Sequence, residues 1–270
     1  MDVVDTPSRW CTTVVIGVFT LLAGAIALLC SQHPPYTHGT GGPVGARRKK
    51  QRMAQRLVIV GAGGHARDTF DVVEAAAERQ PDSWDLLGFV SEVADDHGRA
   101  YHGSRVLGGF EWFAGRRDVA VVIAIGDPEV RARLVARAEQ LGLPFATLVH
   151  PAAVVSRHAR VGPGCIVSAG VMVTSSASIG AHVILNLGCT VAHDAVVADC
   201  CTLAPGVHVN GHARLGSGCD LGAGAVVLPK VAIGAGSVVG AGAVVIKDLP
   251  AGVTAVGVPA RIVGSRPPPG

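Results

Sequence analysis

His193 and Asp194 are adjacent and are the pair in this 270-residue chain best suited to move a proton. An imidazole titrates near neutral pH and can take a proton from an attacking amine or hydroxyl. A carboxylate beside it can hold the ring in one tautomer and stabilise the imidazolium that forms. A second chemical signal is the run Gly61-Ala62-Gly63-Gly64-His65-Ala66, which follows the apolar residues 57–60 and precedes a helical stretch from Arg67 to about Glu78. Strand, glycine-rich turn and helix make a phosphate cradle, because the glycines let the backbone come close and the helix N-terminus offers N–H groups. The spacing also meets G-x-G-x-x-A. A dinucleotide site would want a carboxylate after the second strand, and Glu92 falls near that place.

The elements that hold these residues follow from periodicity. Every sixth residue from 149 to 245 is Val, Ile or Leu, seventeen without a slip. Four positions after each, from Ala153 to Ala243, stands Ala, Cys, Val or Ser. A hexapeptide period predicts a parallel β-helix in which each hexad is one short strand and one turn. The aliphatic residue fills the inside and the small one sits where the wall bends. Many hexads place Gly directly after the aliphatic residue, as in Val161-Gly162 and Leu221-Gly222, and a corner's φ/ψ demand is the expected reason. His193 is the third residue of its hexad, so its side chain is expected to face outward. His158, His182 and His212, each at the fourth hexad position, read as solvated surface residues.

Upstream, strands are predicted at 86–90 and 119–125, with a charged helix from Pro128 to about Leu141 and a lead into the repeat at 145–149. Strands alternating with helices make a small parallel α/β unit of about ninety residues, room for roughly half a dinucleotide fold.

Composition narrows the field. There are 36 Gly and 4% aromatic residues, which suits thin walls and small corners. The net charge of +3 lies largely in Arg47-Arg48-Lys49-Lys50 with Arg52, so no nucleic-acid partner is expected. Of seven Cys, Cys165, Cys189, Cys201 and Cys219 fall on the small inward position and read as core hydrophobes. No paired C-x-x-C spacing exists, so no metal is expected, and free thiols fit a reducing cytoplasm. Residues 12–30 are uncharged and long enough to span a bilayer. The basic cluster after them would then put the C-terminal side in the cytoplasm. The rival reading starts the protein at Met53, with residues 1–52 an over-extended frame. Both leave the catalytic part cytoplasmic.

The repeat resembles the hexapeptide-repeat acyltransferases. That resemblance implies a left-handed β-helix of about five coils, three prisms associated as a homotrimer, and acyl-CoA in the groove between neighbours. The pairing of such a helix with the glycine-rich α/β unit resembles, over about residues 56–264, the sugar acetyltransferases of the sialic acid O-acetyltransferase and UDP-4-amino-sugar N-acetyltransferase family. The resemblance implies that the α/β unit holds a sugar nucleotide through Gly61, Gly63, Gly64 and His65. It carries the family's AIG-x-x-x-x-R segment onto Gly126 and Arg131, and its acidic base-contacting pair onto Ser91-Glu92. It makes His193 the general base, Asp194 the residue that orients it, and Asn186 an orienter of the acceptor sugar. Direct attack on the acetyl-CoA thioester is the implied chemistry. A second His that some members carry nine residues after the base is Thr202 here. Gly211, Gly222, Ala223 and Ala241 fall on the CoA groove. The tail Gly257-Val258-Pro259-Ala260-Arg261 matches a G-x-P-A-[RK] ending that closes the helix, with Arg261 near a CoA phosphate.

The expected architecture is therefore an α/β N-terminal Rossmann-like domain (56–147) followed by an all-β left-handed parallel β-helix (148–248). Residues 1–55 would be an anchor or extension with linker, and 249–270 a cap and tail. The expected activity is acetyl-CoA-dependent transfer of acetyl to an amine or hydroxyl of a sugar or nucleotide-linked sugar, with no metal. The alternatives are a non-catalytic nucleotide-sugar scaffold, an O-acetyltransferase for another small molecule, and an NAD-binding protein fused to a β-helix.

Overall fold

Three parallel strands in the order β2-β1-β5 open the structure, a computed structural model that describes residues 54–81 and 83–265. β1 (Gln55–Val60) is central, flanked by β2 (Trp84–Val90) and β5 (Ala120–Ile123). Its last four residues are fully buried, as a strand covered on both faces requires. Helix α1 (Gly64–Arg79) starts four residues after β1, and helix α2 (Pro128–Gln140) follows β5. Asp127 caps α2, its Oδ1 accepting from the amides of Glu129 (2.8 Å) and Val130 (3.0 Å), with Pro128 in the first turn. No side chain caps α1.

Residues 91–118, which carry no clear period, hold two short 3-10 turns (Ala94–Asp96 and Phe110–Phe113) and a hairpin, β3 (Ala100–Tyr101) with β4 (Ser104–Arg105). Val106, Phe110 and Phe113 of this segment are buried against the sheet and helices.

The repeat becomes seventeen two-residue strands, β6 (Leu148–Val149) to β22 (Val244–Val245). They stack as three parallel faces. Each strand pairs with the one 18 residues on, as Val149 with Val167, so a coil is three hexads and the run makes nearly six coils rather than five. The first face is β6, β9, β12, β15, β18 and β21; the second is β7, β10, β13, β16, β19 and β22; the third is β8, β11, β14, β17 and β20. The second residue of each strand and the small residue four positions later fill the core from Cys165 onward. β23 (Val253–Val256) and β24 (Arg261–Ser265) close the end as an antiparallel hairpin.

Two corner expectations are corrected. Left-handed φ occurs at the third residue after the aliphatic one, in Gly164, Gly170 and Gly188 but also in Ser176, His182, Asp194 and His212. The glycines directly after the aliphatic residues serve stacking instead. A Cβ on Gly162 would lie 2.5 Å from the Gly180 carbonyl oxygen, and one on Gly222 would lie 2.5 Å from the Ala241 amide. The corners of successive coils touch backbone to backbone there.

The α/β unit docks on the first face. Leu148, Ile166 and Ile184 point outward from the prism yet are buried in one cluster with Leu57, Phe70 and Val73. Arg131 completes the joint. It is 1% exposed and donates from Nε to His182 O (2.9 Å), from Nη1 to Ile125 O (2.6 Å) and Gly126 O (3.0 Å), and from Nη2 to Cys200 O (2.7 Å). His182, expected on the surface, is buried at the same joint with its ring edge-on to Phe145. Burial holds its imidazole below the ordinary histidine value.

Candidate active site

The corner between the second and third faces carries His193 and Asp194, both exposed. His193 Nδ1 lies 2.9 Å from Asp194 Oδ2. Asp194 occupies the left-handed corner position (φ 59), which Asp tolerates better than most residues. Gly211 lies one coil on, directly under the imidazole. A Cβ there would come within 2.7 Å of both Cε1 and Nε2 of His193, so this glycine makes the space in which the ring lies. His212, read in the sequence as a surface residue, is exposed and stands beside this pair. Its Nε2 is 3.8 Å from Asp194 Oδ2, and its ring packs edge to face against that of His193 with centroids 5.2 Å apart. The signal was available: 212 is 194 plus one 18-residue coil. The donor atoms of His193, Asp194 and His212 lie within 4.8 Å of one another.

The residues carried onto the acceptor site and the CoA groove do not lie along one edge. Asn186, Gly222, Ala223 and Ala241 lie on corners between the first and second faces, while Gly211 shares the opposite corner with His193. The whole second face separates the two sets. Asn186 Oδ1 accepts from the Leu187 amide at 2.8 Å. Arg261 stands exposed on the closing hairpin, and its Nη1 donates to Ala260 O at 2.9 Å.

In the α/β unit a cleft of about 450 Å³ opens at the carboxyl ends of β1, β2 and β5, where parallel sheets of this kind bind ligands. Val60, Gly61, Gly63, Ser91, Glu92 and Ile125 are on its wall. Gly61 has φ 120, and a Cβ on it would press on Ile125 at 2.9 Å. Nothing lies within 4 Å of a Cβ built on Gly63, and one on Gly64 would meet only Arg67 Nη2 at 4.0 Å, so the loop leaves space over the uncapped first turn of α1. His65 turns Nε2 into the protein, shielded and without a hydrogen-bond partner, and burial lowers its pKa.

Arg131, Gly126 and Glu92, expected to meet substrate, all make structural contacts within the chain. Arg131 is enclosed by four protein carbonyls and ties the two halves together. The Gly126 carbonyl is taken by Arg131 and by Thr202 Oγ1, the latter at 2.5 Å. Thr202 is therefore part of the joint, 8% exposed, not an acceptor contact. Glu92 borders the cleft, but its Oε1 accepts from the Phe110 amide at 3.0 Å and its Oε2 pairs with Arg137. The four inward Cys are free thiols in the core, and burial raises Cys165 and Cys189 to about 11.

Residues 56–138 match the model of the PglD N-terminal domain. The chain is 37% identical over 129 residues to a UDP-N-acetylbacillosamine N-acetyltransferase of Bacillus subtilis, an alignment that covers 43% of this chain and spans about half of that relative, 52%. A perosamine N-acetyltransferase from Caulobacter crescentus, solved with CoA and GDP-perosamine, is 36% identical. It superposes with a TM-score of 0.71 over 77% of this chain and 97% of that one. The chain belongs to the hexapeptide-repeat sugar acetyltransferases of the sialic acid O-acetyltransferase and UDP-4-amino-sugar N-acetyltransferase family. The acetyltransferase domain of PglB from Neisseria gonorrhoeae, solved with acetyl coenzyme A, is a further member at 28% identity. Its TM-score is 0.72 over 78% of this chain and 100% of that domain. The α/β unit and the β-helix are both the family's, and no helix among the described residues is long and apolar enough to cross a membrane. The stretch 12–30 lies outside the described residues.

Proposed function

We propose that this family member transfers the acetyl group of acetyl-CoA to the amine of a nucleotide-linked amino sugar, with His193 as general base. The observation that carries the reading is the 2.9 Å contact of His193 Nδ1 with Asp194 Oδ2 on an exposed corner. With the Nδ1 proton held on the carboxylate, Nε2 keeps its lone pair for the substrate. The sugar amine attacks the thioester carbonyl carbon and forms a C–N bond. Nε2 takes the proton the amine loses. The tetrahedral intermediate collapses with cleavage of the C–S bond, and the imidazolium protonates the departing CoA thiolate. Amine rather than hydroxyl as acceptor is favoured by the relatives, which include a perosamine and a UDP-N-acetylbacillosamine N-acetyltransferase. Two of the perosamine enzyme's complexes carry a replaced histidine, one by Asn and one by Ala.

The open glycine loop at Gly61, Gly63 and Gly64 and the bare N-terminus of α1 support nucleotide phosphates in the cleft. A homotrimer supports the CoA site. The second face shows Val154 (62% exposed), Met172 (47%) and the half-buried Val226 and Val244, two apolar pairs on either side of the hydrogen-bonded Thr190 and His208, and no part of the described chain covers them. Threefold packing would bring the Asn186–Gly222–Ala223–Ala241 edge of one copy toward the His193–Gly211 edge of the next. Free core thiols and the basic cluster at 47–52 support a cytoplasmic setting.

The test is His193→Ala, assayed with acetyl-CoA and nucleotide-linked amino sugars. The expected loss is about 10²–10⁴-fold in kcat with unchanged melting. Activity within a few-fold of wild type would remove His193 from the role of base.

A further inference from the structure

The carboxylate of Asp194 has two imidazoles on it. His212 sits one coil beyond Asp194 at the same corner position, and both hold left-handed backbone, φ 61 and 59. The His212 amide donates to His193 O at 3.0 Å, which fixes it directly beneath the base. Its Nε2 approaches the same Oδ2 that His193 Nδ1 contacts, at 3.8 Å against 2.9 Å. The two rings cross at 88°.

We propose that His212 is a positioning residue that, with Asp194, holds the His193 ring in the tautomer protonated on Nδ1. The inference rests on His193 being the base. The physical need is plain. His193 and Asp194 are about half exposed, at 60% and 46%, and one solvent-exposed contact between neighbouring residues fixes a ring weakly. The second torsion of a histidine is broad, so the imidazole could turn and offer the wrong nitrogen. Gly211 supplies the floor of the slot, and the His212 ring stands as its wall with the edge-to-face geometry aromatic pairs prefer. From the other side His212 limits where the carboxylate can swing. The groups around this corner are Ser175 and Ser176 on the preceding coil and Lys230 on the following one, whose amide bonds to Gly211 O. A divalent cation bridging His193, Asp194 and His212 is the competing use of the same atoms.

The experiment uses the whole protein labelled with ¹⁵N-histidine, recorded before and after EDTA is added. Long-range ¹H–¹⁵N correlation reads the His193 tautomer, with His193→Gln assigning its signals. Wild type is expected to show a single Nδ1–H form. His212→Ala should mix the tautomers and lower kcat about tenfold, the order of loss that misorienting a catalytic group brings, with KM for acetyl-CoA within twofold and melting unchanged. His212→Gln, which can still reach the carboxylate, should recover most of both. A His212→Ala protein with wild-type tautomer and wild-type kcat would overturn the proposal. So would a wild-type signature that disappears when EDTA is added, which would assign the atoms to a bound cation. If His193→Ala kept full activity, the base assignment would fail on its own, and the tautomer measurement would still decide the role of His212.

Discussion

At the residue scale the proposed catalytic corner depends on what is absent as much as on what is present. Gly211 has ordinary φ, so its need for glycine is steric: the imidazole of His193 occupies the place of its Cβ. Gly211→Ala is therefore expected to displace the ring by several tenths of an ångström or more. The expected kinetic result is a fall of about 10-fold to 100-fold in kcat, because a small misplacement of a positioned group is costly, with little change in melting temperature. A crystal structure of the variant would show the ring rotated out of the slot. Unchanged kcat and an unmoved ring would mean the slot is not needed.

At the element scale the glycine loop and the domain joint make separable predictions. Gly61 has φ 120 beside Ile125, so Gly61→Val should destabilise the α/β unit by about 1–3 kcal/mol through backbone strain and overpacking. Gly63 has ordinary φ (−75) and open space around it, so Gly63→Val should fold normally and weaken sugar-nucleotide binding, leaving acetyl-CoA affinity intact. Calorimetry with each ligand, after a melting curve, separates the two. Loss of acetyl-CoA binding in Gly63→Val, with the nucleotide retained, would reverse the division of labour between the domains. At the joint, Arg131→Leu removes a donor from four carbonyls, of which only that of Gly126 keeps a side-chain partner, Thr202. It should cost about 3–5 kcal/mol, and limited proteolysis should cut between the halves earlier than in wild type. A variant that melts like wild type would show that the guanidinium only fills space.

At the scale of the whole molecule the proposed trimer rests on the second face of the β-helix. Met172 is 47% exposed on the second of the six strands of that face, and packing between copies would bury it. Met172→Glu should convert trimer to monomer in sedimentation and abolish acetyl transfer, while the circular dichroism of the β-helix persists, since the core of each prism is built within one chain. An active monomer would show that one chain holds the complete CoA site, with the two edges working apart.

The β-helix was legible because its physics is local and repeated. One aliphatic residue every sixth place and one small residue four later are all a coil needs, and every hexad repeats the statement. His193 and Asp194 were legible as a candidate pair because they stand side by side at the variable positions of an intact hexad, between Val191 and Ala195. The α/β unit was legible where period and glycines speak, at β1, α1 and α2, and not over 91–118, where buried Phe110 and Phe113 stand in irregular turns. Tertiary structure alone decided the rest. It stacked residues 18 apart into contact, which put His212 on Asp194 and Gly211 under His193. It buried Arg131, His182 and Thr202, because a solenoid with one face covered has no sequence mark for which face that is. It also split the predicted CoA residues between two edges, because a hexad period reports that a residue is at a corner and not which of three corners it occupies.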